Sequence, residues 1–117
     1  MSNTKEKIVI SEITKSCRVL NMDELFALLK MNTPRWWSWG ASKFLVDNME
    51  SPRMFRMFVR GNLHKGHVYI FLNGMDLFDV YLTTLSGTIK EKVEGLYFDN
   101  LAETIDNKIE RIPEYVR

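Results

Sequence analysis

Apolar and polar positions alternate most regularly between Arg53 and Leu85. Three runs rich in aromatic and β-branched residues follow one another there: Arg53-Met-Phe-Arg-Met-Phe-Val-Arg60, His67-Val-Tyr-Ile-Phe-Leu72 and Asp76-Leu-Phe-Asp-Val-Tyr-Leu82. Gly61 and Gly66 bound the first break and Asn73-Gly74 marks the second, so the pattern predicts an antiparallel meander. Asn73-Gly74 predicts a tight hairpin, because both residues tolerate the positive φ of a primed turn.

A period of two sorts each strand into two sides. Phe55, Met57 and Val59 share one side of the first run, with Met54, Arg56, Phe58 and Arg60 on the other. Val68, Ile70 and Leu72 oppose Tyr69 and Phe71 in the second run, and Phe78, Val80 and Leu82 oppose Leu77, Asp79 and Tyr81 in the third. If the strands pair in register, the aliphatic sides form one sheet face and the other collects Arg56, Phe58, Arg60, Tyr69, Phe71 and Tyr81.

Outside the meander the period changes. Met22, Leu25, Phe26 and Leu29 recur at helical spacing, and Asp23 and Glu24 sit where a helix N-terminus favours anions, so residues 22–30 read as a short amphipathic helix. Pro34 turns the chain out of it. The stretch 35–47 reads as a strand with a bulge near Gly40, against a single helical turn capped by Thr33. Thr88–Val93 reads as a charged outer strand whose lysines oppose edge-to-edge pairing. Phe98, Leu101, Ala102, Ile105, Ile109 and Ile112 form the stripe of a C-terminal helix, with Asn100 and Glu103 spaced as a capping box and Pro113 as its stop. Residues 1–9 read as a frayed end, and Ser11 as the cap of a first helical turn. The expected architecture is α+β: four to five antiparallel strands in a single domain over residues 1–117. The C-terminal helix covers one face, and the short N-terminal helix with the Trp segment lies near the other.

Composition adds limits. At 117 residues with 45% apolar and 26% charged positions, the chain can bury a core without metals or disulfides. A single cysteine, Cys17, favours a reducing compartment, and no apolar run is long enough to span a bilayer, so a cytoplasmic location is expected. The net charge of +1 conceals a skew: residues 41–73 hold five Lys/Arg against two Asp/Glu, while residues 74–117 hold five against nine. Pairing of basic and acidic elements within the fold accounts for this; a basic patch for an anionic partner is the competing account.

Candidate chemistry is sparse. Trp36, Trp37 and Trp39 fall within four residues, and such residues are enriched where proteins bind one another. They are also common in cores. The preferred reading is a small non-enzymatic accessory protein that binds an unknown protein partner, or itself, through Trp36, Trp37, Trp39 and the adjoining strand edge. Short, motif-free, aromatic-rich single domains are of the type found among phage and mobile-element proteins that act on host systems.

A second reading is a nucleic-acid-binding module using Arg53, Arg56, Arg60 and Lys65, with Phe58 and Tyr69 as stacking platforms. It lacks the glycine-flanked aromatic octamer of an RNA-recognition motif. A third is an enzyme of unrecognised type, although no nucleophile elbow, phosphate-binding glycine loop or Cys–His pair is present. His64 and His67 would need two further ligands to hold zinc and read as a solvated turn. No cofactor, metal or membrane association is expected.

Overall fold

In the computed structural model, which describes residues 6–30, 42–61 and 63–109, the alternating runs form a five-stranded antiparallel sheet. Its strands are β1 (Ser42–Val46), β2 (Phe55–Arg60), β3 (Lys65–Leu72), β4 (Phe78–Thr83) and β5 (Ile89–Leu96). Strand order follows chain order, so each strand pairs with its neighbours in sequence. Of the stretch read as a strand over 35–47, Ser42–Val46 is β1, and positions 35–41 lie outside the described residues.

Register confirms the two sides. Met57 faces Val68 and Val68 faces Leu82; Phe55 faces Ile70 and Ile70 faces Val80. These residues form one core with Leu20, Leu25, Leu28 and Leu29 from around α2 (Met22–Lys30) and with Leu101, Ala102, Ile105 and Ile109 of α3 (Leu101–Ile109). Both longer helices therefore lie on the same face, where α2 was expected near the other. Leu28 belongs to this core, while Phe26 lies at its margin.

The opposite face carries a smaller core of Met54, Tyr69, Phe71 and Tyr81. The five-residue α1 (Ile10–Thr14) and its flanks cover it through Ile8, Ile10, Ile13 and Cys17, with Ile89 alongside. Ser11 does not cap α1, whose N-cap is Val9 with no side-chain hydrogen bond. Within the stretch expected to fray, residues 6–8 are held by backbone bonds. Ile8 donates to Gly87 O at 2.9 Å, and Ile89 donates to Glu6 O at 2.8 Å.

Local chemistry sets the boundaries. Asn21 Oδ1 accepts the Glu24 N–H at 3.1 Å, which satisfies one of the orphan donors at the start of α2. A 3-10 turn over Phe98–Asn100 leads into α3, so Phe98 stands 44% exposed beside Phe78 and outside the buried stripe. Ile112 lies outside the described residues.

The turn after β3 differs from the predicted two-residue hairpin. It is a five-residue loop in which Asn73 acts through its side chain, Oδ1 accepting from Met75 N and Leu77 N. The positive φ falls on Asp76, at 64°, and not on Gly74. Asp79 accepts from Asn73 Nδ2 and Gly95 N, and Asp76 pairs with Arg18.

Candidate functional site

Two surfaces bear on function. The first is apolar. Where β1 meets α2, a groove of about 550 Å³ is lined by Met22, Phe26, Phe44, Val46, Pro52 and Phe55, with Leu45 and Met49 at its rim. Phe44 stacks on Phe55 at 5.8 Å, and Phe26 meets both rings edge-on. Aromatic rings in these geometries fix the groove's floor beyond what area burial alone contributes. Leu45 is 45% exposed and Met49 86% exposed. β1 pairs with β2 on one side, and its other side has no strand partner among the described residues. Trp36, Trp37 and Trp39, the residues singled out for protein binding, lie outside the described residues. In sequence they fall between the two walls of the groove, α2 and β1.

The second surface is cationic and lies on the other side of the same strands. Phe58 faces His67 across β2 and β3, Arg56 faces Tyr69, and Arg60 faces Lys65. All six side chains therefore share one face. A register irregularity between Ser42 and Leu45, with Lys43 at φ 54°, brings the Lys43 ammonium 5.6 Å from the centre of the Phe58 ring. That is cation–π range. The aromatic row continues from Phe58 through His67, Tyr69 and Phe71 to Tyr81.

The proposed nucleic-acid residues divide on this surface. Arg56, Phe58, Arg60 and Lys65 are together. Tyr69 is 6% exposed beneath the N-terminal segment, which leaves no face open for a base to stack on. Arg53 lies beyond the far end of β2, and its N–H donates to Asp47 Oδ1. Lys43 and His67 were absent from the expected set. Only the bulge in β1 reveals Lys43, while His67, at the head of the second run but also read as part of a turn, lies within β3.

His64 is also misplaced by the expectation of a solvated turn: it is 3% exposed. Its Nε2–H donates to His67 O at 3.2 Å, and Lys90 Nζ donates to its Nδ1 at 3.4 Å. Burial pushes its pKa below the ordinary 6.5, and nearby Lys90 adds to the effect. Beside it, Gly66 permits the close approach of β3 to β4, since a Cβ there would lie 2.3 Å from Thr83 O. The Cys17 thiol donates to Ile13 O at 3.1 Å, and burial raises its pKa, the reverse of what a nucleophile needs.

Among the described residues no three His, Cys, Asp or Glu side chains gather to hold a metal ion. No helix among them is long and apolar enough to cross a membrane. Compared with family models, curated proteins and solved structures, the chain matches none.

Proposed function

We propose that this chain is a cytoplasmic binding protein without catalytic chemistry of its own, and that its partner is a protein. An extended apolar segment of the partner adds to the outer edge of β1 and places its side chains in the groove between β1 and α2. Trp36, Trp37 and Trp39, which join these two elements in sequence, take part in binding the partner. The observation that carries this reading is an apolar groove opening beside an edge strand, with Leu45 and Met49 at the rim. An edge offers unused backbone donors and acceptors, and apolar pockets beside it supply selectivity for alternate side chains.

A photo-crosslinking residue at position 49, compared with one at Asn107 on α3, tests the partner directly. Crosslinks to one protein species, or to a second copy, are expected from position 49 only. Leu45→Lys and Trp37→Ala should abolish those crosslinks while the melting temperature changes little. The reading fails if position 49 captures nothing above the Asn107 control and light scattering finds a monomer. It fails equally if both variants simply unfold the chain, which would make this surface core.

A further inference from the structure

We propose that Arg56, His67 and Lys43 form a binding site for a phosphate group on the face of β1, β2 and β3 that carries Phe58. This site stands independently of the groove and of the protein-binding reading.

The first observation is a pair of orphaned nitrogens. Arg56 Nε and His67 Nδ1 are both shielded from solvent, and neither has a hydrogen-bond partner among the described residues. Arg56 faces Tyr69 and His67 faces Phe58, so the two side chains are diagonal neighbours on one face of an antiparallel pair. Such diagonals lie within reach of long side chains. Leaving a buried donor unmade costs about 1–3 kcal/mol, so two adjacent orphans call for a shared acceptor. The Arg56 Nε–H can only donate, and His67 Nδ1 donates whenever it carries a proton. An acceptor with at least two oxygens satisfies both at once, and its charge favours that protonated form of His67.

The second observation is charge. Among the described residues, the charged and titratable groups acting on His67 are Arg56 from β2, Lys43 from β1 and His64 from the loop before β3, with no carboxylate among them. Arg60 and Lys65, opposite one another across β2 and β3, extend the cationic surface. The groups facing His67 thus repel its proton, and burial adds to that, so its pKa lies below the ordinary 6.5. An anion in the same place would reverse the balance.

The third observation is backbone conformation. A positive φ is uncommon for a residue with a side chain. Lys43 adopts one at the β1 bulge, and the bulge aims its ammonium over Phe58. Bulges that re-aim a side chain are recurrent beside binding sites. Three donors from three strands, with a possible total charge of +3, match a phosphate with three acceptor oxygens better than a carboxylate with two.

The test uses the full chain and follows the Arg56 Nε–H and His67 ring signals by NMR. Inorganic phosphate is added against chloride and acetate at equal ionic strength. Phosphate should shift both signals and raise the His67 pKa, and acetate should do so far less. Arg56→Gln should weaken the response by about tenfold or more, as loss of a charge-assisted hydrogen bond implies. Lys43→Gln, an exposed position that leaves both orphaned nitrogens in place, should weaken it less and serves if Arg56→Gln does not fold. A single-stranded oligonucleotide distinguishes the source. The same shifts at lower phosphate concentration place the group on a polynucleotide, whereas a response no stronger than that of inorganic phosphate places it on a small anion. No shift at either residue, equal shifts from acetate, or a response unchanged in the variants would overturn the assignment.

Discussion

At His64 the imidazole sits 3% exposed, with Nε2–H bound to His67 O and Nδ1 accepting from Lys90. The contact with Lys90 requires the neutral ring, since a protonated Nδ1 would meet the Lys90 ammonium donor to donor. His67 is also held below the ordinary histidine value, by burial first and then by Arg56. The consequence for stability has a definite sign. Below about pH 6.5 the unfolded chain takes up protons at these positions that the folded chain resists. Stability from this source is therefore fully present above that value and is lost as pH falls toward the lower folded pKa values. Urea midpoints should be flat between about pH 7 and 8 and should fall below about 6.5. In His64→Gln the acid-side slope should be smaller, because the variant removes one of the two groups. An unchanged slope in that variant would remove His64 from the account.

Among the elements, α3 gives the cleanest contrast between buried and exposed sides. Ile105 is fully buried between this helix and the sheet, while Asn107 is exposed. Ile105→Ala should cost about 2–5 kcal/mol through lost burial and a residual cavity, and Asn107→Ala should stay within about 0.5 kcal/mol. Equal small effects in denaturant melts would mean that α3 is not docked. This helix and the three central strands were legible because period alone sorts their residues: Leu101, Ala102, Ile105 and Ile109 on one stripe, Met57, Val68 and Leu82 on one face. The side of the sheet taken by α2 was not legible. Its stripe runs through Leu25, Leu28 and Leu29, but an amphipathic helix carries no mark of which apolar sheet face it will meet. Turn chemistry was half legible, since Asn73 was identified as a turn residue although it works through its amide oxygen. The candidate sites were least legible. His67 opens the second run but also reads, with His64, as a solvated turn, and Lys43 reaches Phe58 only through a bulge.

For the molecule as a whole, the sheet separates two cores of unequal size. Among the described residues, sixteen buried ones lie on the side of α2 and α3, and four lie beneath α1. β3 is central and mostly buried, whereas β1, an edge strand among the described residues, is half-buried or exposed throughout, and α1 has no buried residue. Local opening follows such differences. Amide exchange should accordingly be slowest in β3 and β4 and fastest in α1 and β1. Uniform protection across the chain would contradict a layered stability. The meander also bears on how the molecule assembles in time. Each hairpin joins strands adjacent in the chain, so the sheet can zip up through short loops, a class of topology that folds fast for its size. The N-terminal strap is different: Lys7 reaches Ser86 across 79 positions, and closing so long a loop carries an entropic penalty that the strands avoid. Docking of residues 6–17 is therefore expected to follow pairing of the strands, with Phe71 and Tyr81 open to water until the strap covers them.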